Sequence, residues 1–299
     1  MKFSIYQSTR PGSRPDNEDR IGFSYSRDAL LMVVADGMGG HLHGEVAAHL
    51  AVRTLTEEFR KLAQPRLDDP AAFLRIAFQR AHRAINDFSA QRHLLETPHT
   101  TLVAALVQDD QAWWAHAGDS RLYFIRGGRL VARTDDHSAV AKLVRSGLIS
   151  EEQASVHPDR NRVTNCLGGY AMPETELHEP VPLRENDILL LCTDGLWGQF
   201  ANGEICEVLG KYLLQDAVNL LMDRAEYRGG ERCDNLSLVV MGWGEPGVPG
   251  QQTISTQMLA DDSVTTQVGD GGESASVSDD EIERAIAEIQ QAIRKVNGQ

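Results

Sequence analysis

Six short apolar-rich runs set the limits on what this chain can fold into. They read LLMVVA (30–35), TLVAALV (101–107), AWWAHA (112–117), RLYFI (121–125), DILLLC (187–192) and LSLVVMGW (236–243). Runs of this length predict β-strands. None approaches the roughly 20 apolar residues that a membrane span needs. The paired glycines of RGGR (126–129) predict a hairpin turn, because glycine accepts positive φ, so 112–132 is expected to pair antiparallel. Between the strands lie helical patterns. In 44–62, Ala47, Ala51, Leu55, Phe59 and Leu62 recur at helical spacing. In 70–94, Leu74, Ala77, Phe78, Ala81, Ile85 and Phe88 do the same, with Asp69 and Pro70 as start signals. A further helix pair is expected at 203–210 and 214–227. Antiparallel strand groups with helices packed outside predict a layered α+β sandwich, not a doubly wound sheet.

Four aspartates recur at the ends of these strands. Asp36 follows LLMVVA, Asp194 follows ILLLCT, Asp119 sits between two strands in HAGDSRLY, and Asp234 precedes a strand in CDNLSLVV. Glycine adjoins three of them (Gly37, Gly118, Gly195). A strand running into Asp-Gly is an ordinary turn when met once. Four such sites in one domain, with NED near the N-terminus, suggest acids gathered on one rim of the sandwich. Carboxylates brought together repel unless cations neutralise them. Carboxylate and carbonyl oxygens are hard ligands that suit Mg²⁺ or Mn²⁺ rather than zinc. The rival readings lack their residues. A GxGxxG started at Gly37 meets Leu42 where its last glycine belongs, and there is no GxxxxGK[ST] loop or GxSxG elbow. No DxD pair stands at Asp36 or Asp194 for an aspartyl nucleophile.

Composition narrows the classes further. A formal charge of −14 argues against a general nucleic-acid binder and fits a cation site. The four cysteines form no CxxC pair and read as free thiols of a reducing compartment. The N-terminus lacks the apolar core of a signal peptide, so the expectation is a cytoplasmic protein with no membrane association.

Eight stretches in order, SRPDNEDR, VVADGMGGHLHGEVAA, TTLVAALV, HAGDSRLYFI, RTDDHSAV, RNRVTNCLGG, DILLLCTDGLWG and DNLSLVV, resemble the metal-dependent protein phosphatase family, the type 2C serine/threonine phosphatases, and its bacterial branch most closely. The resemblance covers about residues 3–242. It implies a four-layer αββα sandwich, two antiparallel sheets flanked by helices, with a small flap subdomain at about 138–165. It also implies two Mg²⁺ or Mn²⁺ ions per chain. Asp36 would bridge them, the Gly37 carbonyl would bind one, and Asp194 and Asp234 the other. Glu18 and Asp19 would act on metal-bound waters, directly or from behind. Asp119 with Asp194 matches the positions of a third, weaker ion. Arg14 lies where the family places its phosphate-binding arginine. The implied activity is hydrolysis of phosphoserine and phosphothreonine in proteins by a water bridging the two ions, opposing a cognate Ser/Thr kinase. The alternative is a non-catalytic phosphoprotein-binding regulator on the same fold. Met38 stands where eukaryotic members commonly carry a histidine, and a thioether cannot donate a proton. No general acid is assigned among His41, His43 and His137.

Composition shifts after Trp243. Residues 244–277 are rich in Gly, Pro, Ser, Thr and Gln and read as a flexible linker. Residues 245–299 hold ten acidic and three basic side chains. A capping-box pattern at Ser278 and Glu281, followed by Ile282, Ile286, Ile289, Ile293 and Val296, predicts a short amphipathic helix over 278–297. Thr256, Thr265 and Thr266 are candidate kinase sites, read by a phosphothreonine-binding adaptor.

Overall fold

The computed structural model describes residues 1–39, 44–245 and 252–269. His41, His43 and the expected helix over 278–297 lie outside them. In chain order, the first elements are β1 (Lys2–Arg10), β2 (Asp19–Tyr25), β3 (Ala29–Met38), α1 (Gly44–Leu62) and α2 (Pro70–Gln91). Next come β4 (His99–Thr100), β5 (Leu102–Gln108), β6 (Gln111–Ala117), β7 (Arg121–Arg126) and β8 (Arg129–Arg133). They are followed by α3 (Ala139–Arg145), α4 (Glu151–Ser155), β9 (Glu176–Pro182), β10 (Ile188–Cys192) and α5 (Asp194–Trp197). The last are α6 (Asn202–Lys211), α7 (Leu214–Gly229), β11 (Leu236–Trp243), β12 (Ile254–Ser255) and β13 (Thr265–Gly269).

Two antiparallel sheets lie face to face, in the orders β12-β1-β11-β10-β7-β8 and β13-β2-β3-β5-β6-β9, with β4 paired to β3. The period-two geometry of a strand explains the continuous apolar runs. In β3, Leu30, Met32 and Val34 enter the core between the sheets, while Leu31, Val33 and Ala35 pack under α1 and α2. In β10, Leu189 and Leu191 face between the sheets, and Leu190 and Cys192 pack under α6 and α7. Both faces of these two strands are covered, so they need no polar alternation. The result is the expected helix–sheet–sheet–helix sandwich.

The expected helices form near their expected bounds. Asp69 caps α2 by accepting from the Ala72 N–H at 2.9 Å, and Pro70 opens its first turn. The helix stops at Gln91 rather than 94, and His93 just beyond takes a left-handed φ of 52° that a helix cannot continue. Gly147, at φ 71°, separates α3 from the capped α4.

Three expectations need correction. The span 112–132 is not one antiparallel set: β7 and β8 form the hairpin over Gly127–Gly128, but β6 pairs with β5 and β9 in the other sheet. The chain changes sheets at Gly118–Ser120, where Gly118 has φ 119° and a Cβ would stand 2.5 Å from Thr101 Cβ. The stretch 252–269 is not wholly linker. β12 adds to β1 and β13 adds to β2, because β-branched residues such as Ile254, Thr265 and Val268 meet two sheet edges with backbone groups to satisfy. Thr256 is fully buried, donates to the Arg27 carbonyl and accepts from the N-terminal ammonium, so no kinase reaches it in this fold. Among the described residues, no helix is long and apolar enough to cross a membrane.

Candidate active site

The acids meet at one end of the sandwich because strands of both sheets finish there. Asp19 opens β2 and lies in register with Asp36 on β3. From the other sheet come Asp194, just after β10, and Asp234, just before β11. Asp119 arrives with the crossing between β6 and β7.

Close backbone approaches hold this convergence. Gly37 donates to the Glu18 carbonyl, and a Cβ on it would lie 2.2 Å from the Gly44 carbonyl oxygen. A Cβ on Gly195 would lie 2.0 Å from the Asn235 carbonyl oxygen, so α5 and β11 touch backbone to backbone. That contact sets Asp194 against Asp234. Asn235 ties the N-terminal loop down: its amide donates to the Pro11 and Asp16 carbonyls at 2.9 Å each, and its Oδ1 accepts from the Glu18 N–H at 2.8 Å. Thr101 Oγ1 accepts from the Asp36 N–H at 3.1 Å, and Thr100 donates to the Asp36 carbonyl at 2.8 Å.

The electrostatics are those of crowded anions. Asp19 is buried, and its carboxyl is pushed up to about 7 by burial, then by the charges of Asp194 and Asp234, against hydrogen bonds from Ser237 and Thr193. Thr193 Oγ1 donates to it at 2.9 Å. Asp194 is raised to about 6 by burial and by Asp234. Asp36 and Asp119 are raised well above the usual carboxylate range, first by burial and then by neighbouring aspartates. Glu18 is raised by burial too, against the pull of Arg14. Two guanidiniums answer them among the described residues: Arg14 Nη2 donates to Asp234 Oδ2 at 2.9 Å, and the charge of Arg121 acts on Asp119.

Such a set fits divalent cations. It is made of oxygen donors, it is short of positive charge, and protein repulsion alone disfavours its ionised form. The structure thus brings together Arg14, Glu18, Asp19, Asp36, Gly37, Asp119, Asp194 and Asp234.

His116, His137 and Glu176 form a tighter group among the described residues, with ligand atoms within 4.8 Å of one another. Hydrogen bonds already occupy both ring nitrogens of His137. Asn165 Nδ2, itself oriented by Glu174, and the Gly118 N–H both donate to His137 Nδ1, at 2.7 and 3.3 Å. The His137 proton therefore sits on Nε2 and points at Glu176 Oε2, 3.2 Å away. His137 pins the root of the 138–165 segment and has no free lone pair.

Sequence reasoning missed three supporting residues. Arg121 pairs bidentately with Asp136 at 2.8 and 2.7 Å and stacks 3.4 Å over the Trp197 ring. Trp197 Nε1 donates to the Asp119 carbonyl at 2.9 Å. This chain of contacts joins Asp119, α5 and the entry to α3. An arginine two residues after Asp119 was visible in GDSR, but its partners are distant in sequence.

Comparison with known proteins agrees with this architecture. Residues 13–225 match the family model described as Protein phosphatase 2C. The serine/threonine phosphatase stp of Listeria monocytogenes is 34% identical over 239 residues, covering 79% of this chain and 94% of that protein. The S. agalactiae serine/threonine phosphatase structure superposes with a TM-score of 0.72 at 30% identity, over 81% of this chain and all of that one. The catalytic domain of the serine threonine protein phosphatase PstP, solved in complex with two manganese ions, gives 0.67 at 29% identity over 81% and 98%. With its strand-end acids gathered in a sandwich of this form, the chain belongs to the protein phosphatase 2C family.

Proposed function

We propose that this chain hydrolyses phosphoserine and phosphothreonine in proteins at the acidic rim. The observation that carries the reading is the convergence of five aspartates from both sheets, with Arg14 the guanidinium facing them. In this reading Asp36, the Gly37 carbonyl, Asp194 and Asp234 hold two Mg²⁺ or Mn²⁺ ions, and Asp119 with Asp194 holds a third. Bound there, the ions supply charge neutralisation for the phosphoryl group and acidify a water into the nucleophile. The chain's own residues do the rest. Glu18 and Asp19 would accept hydrogen bonds from waters that bound ions hold. Arg14, freed from Asp234, grips two phosphate oxygens with its planar fork and stabilises charge as it develops. Met38 gives no proton, so the proton for the leaving oxygen comes from a group other than residue 38.

The substrates are phosphorylated proteins, and the enzyme opposes a cognate Ser/Thr kinase. Thr265 and Thr266 on β13 remain the candidate sites for a phosphothreonine-binding adaptor; Thr266 Oγ1 shares a 2.7 Å hydrogen bond with Ser24. The test is turnover of p-nitrophenyl phosphate and phosphothreonine peptides with Mn²⁺ or Mg²⁺ and with EDTA. Asp36→Asn and Asp194→Asn are each expected to abolish it. Activity in excess chelator, or in either variant, would refute the mechanism; metal binding without turnover of any phosphopeptide would leave a binding regulator.

A further inference from the structure

We propose that the cleft between the 138–165 segment and α5 binds a second anionic group of the substrate, a carboxylate or a phosphate, through Arg133, Arg145, Arg160 and Arg232. This inference rests on the phosphoprotein reading above and adds what the substrate carries beside the reacting phosphate.

The cleft has a volume of about 680 Å³ and reaches the acidic rim, since Asp194 and Asp234 are among the residues that line it. Its four arginines come from four separate places: the end of β8, the end of α3, the loop after α4, and the turn just before Asp234. Arg145, Arg160 and Arg232 are exposed. None of the four is ion-paired among the described residues; Arg133 has only a 3.3 Å contact to Asn202 Oδ1. Of the acids that line the cleft, Asp136 is already taken bidentately by Arg121. Away from the rim, the cleft thus holds four unpaired guanidiniums against the two carboxylates of Asp135 and Glu151.

That surplus stands out in a chain of formal charge −14. Part of the wall is apolar, from Val140, Val144 and Phe200, which lowers the local dielectric and strengthens a charge pair made there. Of the two arginines flanking Asn161, Arg160 lines the cleft and Arg162 does not. Guanidinium forks match carboxylate and phosphate equally well. A peptide with its phosphoresidue at the acidic rim would therefore lay an anionic neighbour along this wall.

The experiment uses the full chain with Mn²⁺ and three peptides of one sequence: a phosphothreonine with neutral flanks, the same with aspartates beside it, and the same with a second phosphoserine. The anionic peptides are expected to show kcat/KM about five- to tenfold higher, through KM, with the gap shrinking at high salt. A preference on either arm supports the site, and comparing the arms tells carboxylate from phosphate. In Arg145→Glu/Arg160→Glu, both exposed, the preference should vanish or invert, with a larger loss on anionic peptides than on p-nitrophenyl phosphate. Equal kcat/KM on all three peptides, or a preference that survives the double variant, overturns the proposal. If no phosphopeptide is turned over, the functional reading fails instead. The cleft is then judged by fluorescence polarisation of a labelled oligo-aspartate peptide: binding lost in the double variant supports it, and no binding overturns it.

Discussion

At the scale of single residues, the site is governed by how few cations answer its acids. Arg14 is more than half exposed and ion-pairs with Asp234. Its removal should therefore leave folding nearly intact while costing catalysis. Arg14→Ala is expected to lower kcat/KM on phosphopeptides about 100-fold, and Arg14→Lys to recover only part, because an ammonium cannot bind two oxygens in a plane. Full activity in either variant would remove Arg14 from the machinery. The raised carboxyls of Asp19 and Asp194 also make a statement about stability. Their folded values, about 7 and about 6, exceed the ordinary 3.8, so between those limits the folded state binds more protons than the unfolded one. Their contribution is fully present below pH 3.8 and is lost as pH rises through 6 and 7. In EDTA, the melting temperature should fall on going from about pH 5 to about pH 7.5, as far as these groups dominate. Mn²⁺ should raise it most at the higher pH, where protons no longer compete for the oxygens. A metal-induced rise that is larger at acidic pH would contradict this account.

At the scale of elements, the site depends on backbones that touch. The one-turn helix α5 is too short to be stable alone. It is held by Gly195 lying on the Asn235 carbonyl and by Trp197, whose ring stacks against Arg121 and whose Nε1 donates to the Asp119 carbonyl. Gly195→Ala drives a methyl group to 2.0 Å from that oxygen, so α5 must move off β11 and carry Asp194 away from Asp234. The expected result is a loss of about 1–3 kcal/mol in chemical denaturation, together with weaker Mn²⁺ binding in calorimetry. Unchanged metal affinity would show that the α5–β11 contact does not set the spacing of the two acids. The edge strands follow a different logic. The polar residues of 252–269 read as a linker, yet its β-branched residues let β12 and β13 cover the outer edges of β1 and β2 and satisfy backbone groups there.

At the scale of the whole molecule, the acidic rim is where two sheets are brought under one charge constraint. Asp19 and Asp36 belong to one sheet; Asp194 and Asp234 border strands of the other. Cations held between them would act as a clasp, contributing about 2.7 kcal/mol at a hundredfold excess over Kd. Hydrogen exchange should then slow on adding Mn²⁺ at the rim ends of β2, β3, β10 and β11 together; protection confined to one sheet would rule out a shared site. The strands, the long helices and the Asp-Gly steps could all be read from the residues in line. A strand's period of two and a helix's of 3.6 are properties of adjacent backbone, and the apolar runs and their stops follow that local geometry. Even the order of the eight motifs needed nothing beyond the chain itself. What the tertiary structure alone decided is which residues share a space: Asp19 beside Asp36, β6 and β7 in opposite sheets, Arg121 against Trp197, and four arginines around one cleft. Those meetings depend on strand register and sheet order, which pair residues as far apart as Phe3 and Trp243, and long-range pairing of that kind leaves no periodic trace in the sequence.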